Sequence, residues 1–214
     1  MQRTIFEDEH WNFRDSVHRF LVHEAVRDEF VEKLAAATAR EIRLGDPLAE
    51  ETTMGPLNNE PTAQKMDEHV ADALAKGAKL VTGGARAEGF PTDLYWQATV
   101  LDDVTDEMEV ATEETFGPVI PISTIASDEE ALQIVNASQY GLLCAVWTRD
   151  LGRGLRFAEA AHAGWVNVNE STNYWESHLP FGGRSGKKSG VGRVGGAYSM
   201  RDTFTELKTV VLSL

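Results

Sequence analysis

The chain has 214 residues, and its 34 acidic and 20 basic side chains give a formal net charge of −14. This length is typical of one domain, and the 42% hydrophobic content is ordinary for a core that forms without disulfides or metals. The acidic excess argues against binding to nucleic acid or to an anionic membrane surface. The single cysteine excludes an internal disulfide and suits a reducing compartment, so a cytoplasmic location is expected.

Predicted strands and helices alternate along most of the chain. Short runs of β-branched and apolar residues indicate strands, and apolar residues spaced by three or four positions indicate helices. In chain order the predictions are a strand over 19–23, helices over 26–43 and 60–76, strands over 78–82, 95–101 and 118–125, a helix after Ser127, a strand over 142–147, a helix after Asp150 and a strand over 164–169. This alternation predicts an α/β fold with a largely parallel sheet and flanking helices.

Some of these segments also carry predictions about position and burial. The prolines of 118–125 place that strand at a sheet edge or at the start of a strand. The continuous apolar run 142–147 predicts a buried strand, and the apolar repeat within 151–158 predicts the inward face of a helix. Ser127 and Asp150 have the side chains and spacing of helix N-caps.

The last quarter of the chain is less regular. From Glu170 to Ser199 it is rich in Gly and polar residues, which predicts a long functional loop. Residues 190–195 match G-x-G-x-x-G, but no predicted strand precedes them and too little chain follows for a βαβ unit. We therefore interpret these glycines as a structural turn with close backbone approach. Residues 207–214 alternate and predict a final strand.

Two segments are candidates for chemistry. Cys144 lies inside the apolar run 142–147, where a thiol is inert, so a packing role is favoured over a nucleophilic one. Residues 113–118 place two carboxylates before an aromatic residue and a Gly-Pro turn. An ionised carboxylate there can accept hydrogen bonds from both hydroxyls of a ribose, and the alternative is a solvated acidic turn.

Several motifs taken together resemble the NAD(P)-dependent aldehyde dehydrogenases. In chain order they are Arg-Phe-Leu-Val-His-Glu at 19–24, Gly-Asp-Pro at 45–47, Met-Gly-Pro at 54–56, Glu-Glu-Thr-Phe-Gly-Pro-Val at 113–119, Gly-Trp-Val-Asn-Val-Asn at 164–169, Pro-Phe-Gly-Gly at 180–183 and Ser-Gly-Val-Gly-Arg at 189–193. The resemblance predicts the C-terminal, catalytic-domain half of a family member. It implies an N-terminal arm without resemblance over 1–16, an aldehyde dehydrogenase-like domain over 17–206, and a C-terminal oligomerisation strand over 207–214.

The resemblance also implies roles for individual residues. Glu114 would bind the nicotinamide-side ribose of NAD or NADP, and Phe116 would pack near the nicotinamide. The loop from Glu170 to His178, which begins with Glu170 and Ser171, would line the entrance for the aldehyde and help to set substrate choice. The family activity is the oxidation of an aldehyde to a carboxylic acid, and the chain is expected to form a homo-oligomer through its last strand.

One position departs from the family pattern. The family's nucleophilic cysteine falls on Arg14, whose side chain stays protonated and cannot attack a carbonyl carbon. Loss of such a nucleophile lowers the rate on the order of 10⁶-fold. No catalytic residue is therefore predicted, and no metal site is predicted because the six histidines are scattered without metal-ligand spacing. The resemblance places the family's general base and nucleotide-binding domain upstream of the matching segment, so the expectation is a truncated chain that is inactive alone and binds a dinucleotide poorly. Two alternatives are an oligomerising or interaction module and a subunit that complements a separate cofactor-binding chain.

Overall fold

The structure is a computed structural model that describes residues 19–174, 176–190 and 192–213. The predicted arm over 1–16 and Arg14 lie outside the described residues. The chain divides into two compact units, with the boundary between Ala131 and Leu132.

The first unit contains most of the regular structure. Its elements are β1 (Phe20–His23), α1 (Arg27–Glu41), α2 (Glu60–Ala75), β2 (Lys79–Thr82), β3 (Thr99–Asp102), α3 (Glu109–Thr112) and β4 (Val119–Ile125), with a short 3-10 turn over Glu24–Val26. The helix α4 (Asp128–Ala137) crosses the boundary between the units. Both predicted helices and the strands at 19–23, 78–82 and 118–125 are confirmed with small shifts of their ends.

The four strands of the first unit form a mixed sheet in the order β1-β4-β3-β2. Parallel pairing joins β1 to β4 and β3 to β4, whereas β2 pairs with β3 in antiparallel orientation. The α/β class is confirmed, and the expectation of a largely parallel sheet is corrected to a mixed one. The physical reason is that residues 83–98 form no crossover helix, and a parallel pair requires such a connection.

The prolines of 118–125 predicted either a sheet edge or the start of a strand. The edge position is wrong, because β4 is an inner strand, whereas Pro118 does lie at the start, directly before Val119. Pro121 is the last β4 residue in register with β3, opposite Leu101. The register with β1 begins at the next residue, where Ile122 pairs with Phe20. Pro121 therefore lies where β4 changes partners, and the backbone N–H that proline lacks is tolerated there.

Two apolar clusters cover the two faces of this sheet. Leu101 and Val119 belong to a cluster with α2, and the neighbouring Val100 and Ile120 belong to a cluster with α1. Successive residues of a strand point to opposite faces, so the strands separate the two helices. The predicted strand over 95–101 forms only from Thr99, and the buried Trp96 makes an isolated bridge with Arg86.

The second unit has a smaller sheet, formed by the parallel strands β5 (Leu143–Val146) and β6 (Trp165–Val168), with the helices α5 (Leu151–Ala160) and α6 (Ala197–Phe204). The predicted strands at 142–147 and 164–169 are confirmed, and α6 was missed. Burial of β5 was overestimated, because all four of its residues are half-buried in a sheet of only two strands.

The N-caps were predicted correctly, whereas the inward face of α5 was not. Asp150 accepts a hydrogen bond from the Arg153 N–H at 3.0 Å, and Ser127 accepts one from the Glu130 N–H at 3.2 Å. The leucines of 151–158 are exposed, and α5 is buried instead through Gly154 and Phe157. A Cβ added at Gly154 would lie 2.7 Å from the Val168 Cγ1, so the missing side chain sets which face packs on β6.

The strand predicted over 207–214 does not form in 207–213, the part of this segment that the structure describes. Residues 205–213 have no regular structure, and Leu207 is 99% exposed. The C-terminal oligomerisation strand is therefore not confirmed, because a strand needs a partner for its backbone groups and none is present for this segment in the described residues. No helix in the described part of the chain has the length and apolar character to cross a membrane.

Candidate functional site

The acidic turn lies in the first unit, between α3 and β4. Glu114 is half-buried, Thr115 is buried, and Phe116 is 67% exposed. Phe116 has a backbone φ of 58°, in the left-handed region that residues other than glycine rarely adopt. Glu114 and Phe116 are thus brought together on one strained turn, with the ring facing solvent.

Helix α2 holds this turn through three side chains, Lys65, Met66 and His69, which we call the α2 anchor. The Lys65 Nζ donates a hydrogen bond to the backbone carbonyl of Glu114. The His69 Nδ1 lies 3.0 Å from the Thr115 Oγ1, and both side chains are buried.

The third contact of the α2 anchor is steric. Met66 is fully buried in the cluster beneath α2, and a Cβ added at Gly117 would lie 2.3 Å from its sulfur. Only glycine allows the chain to pass this close to Met66. The residue after Phe116 is therefore packed directly on the core.

The environment of His69 favours the neutral ring. Burial lowers the pKa of His69 below its ordinary value of 6.5, and the positive charge of Lys65 lowers it further. Three carboxylates act in the opposite direction and raise it by smaller amounts; they belong to Glu109, Glu113 and Asp72. A neutral imidazole can bond the Thr115 hydroxyl as donor or as acceptor.

The Glu114 carboxylate is available for a ligand. No hydrogen bond or ion pair joins it to another group within residues 19–174, 176–190 and 192–213, although its backbone carbonyl is held by Lys65. A carboxylate of this kind can accept hydrogen bonds from two adjacent hydroxyls, and the exposed Phe116 ring beside it can cover a planar ring. The turn therefore presents a carboxylate acceptor and an exposed aromatic ring two residues apart.

The predicted substrate residues Glu170 and Ser171 lie in the second unit, directly after β6. The Glu170 carboxylate accepts a hydrogen bond from the Ser171 N–H at 2.8 Å, and both residues are half-buried. The buried Asn167 donates to the carbonyls of Ser171 at 2.6 Å and Tyr174 at 3.2 Å. Its Oδ1 accepts from the Trp165 indole N–H at 2.6 Å, so one amide side chain organises this loop.

Cys144 has the surroundings of a packing residue. Burial raises the pKa of its thiol to about 11, and a thiol at neutral pH is then almost entirely protonated and a poor nucleophile. The nearby Lys187 is occupied by the C-terminal end of α4 and the residues after it, since its Nζ donates to the carbonyls of Val135, Asn136 and Tyr140 at 3.1 to 3.2 Å.

The turn predicted for the glycines of 190–195 is confirmed at two positions by a left-handed backbone, since Gly190 has a φ of 98° and Gly195 a φ of 78°. A Cβ added at Gly190 or Gly192 would meet no atom within 4 Å, so the close approach predicted for these two glycines is wrong; it is required of Gly164 and Gly182 instead. A Cβ at Gly164 would lie 1.8 Å from the Gly182 carbonyl oxygen, and one at Gly182 would lie 2.1 Å from the Gly192 carbonyl oxygen. Phe181 and Val194 form an antiparallel bridge across this region.

Sequence reasoning missed Lys65, His69 and Asn167, which position the two candidate loops. Each lies inside a predicted helix or strand, where its side chain resembles an ordinary surface or packing residue. A signal for His69 exists in hindsight, because it follows Met66 by three positions on the apolar stripe of α2 and is itself buried.

The sequence model of the aldehyde dehydrogenase family matches residues 16–210. The chain is 41% identical over 196 residues to 3-sulfolactaldehyde dehydrogenase of Pseudomonas putida, which covers 91% of this chain and 39% of that protein. It is 42% identical over 193 residues to mitochondrial succinate-semialdehyde dehydrogenase of Rattus norvegicus, with 90% and 36% covered.

Solved structures give the same result. The structure of succinate-semialdehyde dehydrogenase from Burkholderia pseudomallei matches with a TM-score of 0.81 at 42% identity, covering 87% of this chain and 37% of that one. Betaine aldehyde dehydrogenase from Staphylococcus aureus in complex with NAD+ matches with a TM-score of 0.80 at 30% identity, covering 86% and 36%. The chain thus spans under two fifths of the length of these relatives, and the expectation of a C-terminal half is not confirmed.

Proposed function

Because this chain belongs to the aldehyde dehydrogenase family, we propose that its 113–117 turn binds the nicotinamide end of NAD or NADP during oxidation of an aldehyde to a carboxylic acid. The single observation that carries the proposal is the half-buried Glu114 carboxylate, which lacks a partner in the described residues and stands beside the exposed Phe116 ring. Both side chains lie on a turn that is already held in place.

The cofactor, when bound, supplies an acceptor for the hydride of the substrate. The role of this chain is to position the cofactor. Glu114 would hold the ribose hydroxyls, and Phe116 would fix the plane of the nicotinamide ring. Glu170 and Ser171 would orient the aldehyde from the loop that Asn167 organises. The identity of the aldehyde and the choice between NAD and NADP stay open.

We further propose that these 214 residues alone do not turn over an aldehyde, because Arg14 stands at the position of the family nucleophile. The test is NAD+ reduction with a panel of small aldehydes at high protein concentration. No turnover is expected. Turnover that disappears in Glu114→Gln would overturn this part of the proposal.

Cofactor contact is tested separately from catalysis. Nicotinamide mononucleotide, which carries the ring and the ribose hydroxyls, is titrated into the chain while backbone amide shifts are followed by NMR. We expect shifts at residues 114–117 and an affinity about 10-fold weaker in Glu114→Gln, because a charged acceptor is lost. Glu113→Gln is the matched control with the same change of charge, and an equal loss in both variants would refute the assignment to Glu114.

A second candidate function is association with another subunit through residues 207–213. The observation in its favour is that Leu207, Val211 and Leu212 are almost fully exposed, which is unusual for apolar side chains. Sedimentation of the chain with and without 207–214 tests it. A dimer that becomes a monomer on removal is expected, and an unchanged mass would contradict it.

A further inference from the structure

We propose that His69 and Lys65 are positioning residues of the cofactor turn, and that the His69–Thr115 hydrogen bond sets its affinity for the nicotinamide ribose. This inference rests on the proposed function of Glu114 and Phe116. It assigns to helix α2 the task of holding those two side chains in position.

The first argument is backbone strain. A residue other than glycine at φ 58° is disfavoured by roughly 1–3 kcal/mol and persists only where its surroundings enforce the conformation. The enforcing contacts are present on both sides of Phe116. Lys65 holds the Glu114 carbonyl, His69 holds the Thr115 side chain, and Met66 packs on Gly117.

The second argument is which residues of the turn the α2 anchor contacts. The α2 anchor takes positions 65, 66 and 69, which lie close together on a helical surface. Its three members fix residues 114, 115 and 117, so that of the four residues from 114 to 117 only Phe116 is left without a contact to the anchor. If the turn had only a structural role, the Phe116 ring would not need to face solvent on the same turn as the unpaired Glu114 carboxylate.

The third argument is that the hydrogen bond is buried. His69 and Thr115 are both almost completely inaccessible to water, so each would leave a buried polar group unpaired if the other were removed. Release of Thr115 frees the backbone of the strained turn to relax. The Glu114 carboxylate and the Phe116 ring would then lose their fixed relative orientation.

The experiment follows amide hydrogen exchange and nicotinamide mononucleotide affinity in the same set of variants. Thr115→Val removes the hydroxyl at nearly constant shape, and Thr115→Ser restores it. His69→Leu removes the ring nitrogen, and His69→Asn places an amide group near the position of Nδ1. Asp67→Asn is the matched control, because Asp67 lies on the same helix but pairs with Arg86.

We expect Thr115→Val and His69→Leu to speed exchange at residues 114–117 about 10-fold and to weaken affinity for the mononucleotide by a similar factor. Exchange in β3 and β4 should stay unchanged. Thr115→Ser and His69→Asn should recover most of both effects, and Asp67→Asn should show neither. If His69→Leu does not fold, the pair Thr115→Val and Thr115→Ser carries the test.

The outcomes separate this inference from the function on which it rests. Faster exchange without loss of affinity, in a chain where Glu114→Gln does weaken affinity, overturns the positioning role and leaves the proposed function standing. Unchanged exchange in Thr115→Val and His69→Leu also overturns it. Shifts at 114–117 that do not respond to Glu114→Gln refute the proposed function itself.

Discussion

The turn at 113–117 and the loop that begins at Glu170 are held in different ways. The turn is fixed from outside, by three side chains of α2 that reach it across 46 to 51 positions of sequence and include the fully buried Met66. The first residues of the loop, 170–174, are held from nearby, because Asn167 donates to the carbonyls of Ser171 and Tyr174 and the Glu170 carboxylate accepts from the Ser171 N–H.

This difference suggests a division of tasks. A turn anchored to the core keeps one geometry, which suits a cofactor shared by many reactions. A loop organised by local bonds can change sequence without disturbing the core, which suits a part that selects among substrates. Both statements rest on the proposed function. The following substitutions test how the turn and the loop are held in place.

The largest expected effect is that of Met66→Ala. Removal of this fully buried side chain leaves a cavity and should lower the free energy of unfolding by about 2–5 kcal/mol, measured by urea denaturation. Exchange at 114–117 should rise as well, because Gly117 loses its contact. Met200→Ala is the control, since Met200 is exposed. Equal losses in both variants would contradict the anchoring of the turn to the core.

Asn167→Leu should have the next largest effect. It leaves the carbonyls of Ser171 and Tyr174 and the Trp165 indole without their partner, at a loss of about 1–3 kcal/mol. Amide exchange should accelerate at 171–174 and not at 114–117. Thr172→Ala in the same loop is the control, and faster exchange in both loops would show that they are not independently held.

Phe116 allows the strain of the turn to be measured. Phe116→Gly and Phe116→Ala remove the same ring, but only alanine keeps a Cβ in the left-handed conformation. Thermal or urea unfolding should therefore find the glycine variant more stable than the alanine variant by about 1 kcal/mol. The reverse order would mean that the backbone of the turn carries no strain.

The smallest expected effect is the pH dependence from His69. Its pKa is lowered in the folded chain, so the unfolded chain binds the proton more readily. The stability contributed by the neutral ring is complete above the ordinary value of 6.5, and it is lost as the pH falls from there through the folded-state pKa. Unfolding of the original chain and of His69→Asn is compared between about pH 8 and about pH 5. Identical pH profiles would contradict the lowered pKa.

The positions of the helices and strands were largely predictable from the sequence. Which strands pair with one another, and which helix face packs on a sheet, were not. Short-range patterns identified α1, α2 and the strands, because periodicity and capping are properties of adjacent residues. The edge position predicted for Pro121 failed because it depends on where β4 changes partners. The inward face predicted for Leu151 and Leu155 failed because Gly154 brings the opposite face of α5 onto β6.

For the candidate site, the sequence by itself determined that Glu114 and Phe116 lie two residues apart in one short acidic segment, and it predicted both as contacts of a ligand. Only the tertiary structure decided that Lys65 and His69 hold them, because hydrogen bonds between residues 49 and 46 positions apart follow from packing and leave no local pattern. The positive φ of Phe116 was equally hidden, since an aromatic residue gives no signal for a conformation that its own side chain disfavours and that the surrounding contacts impose.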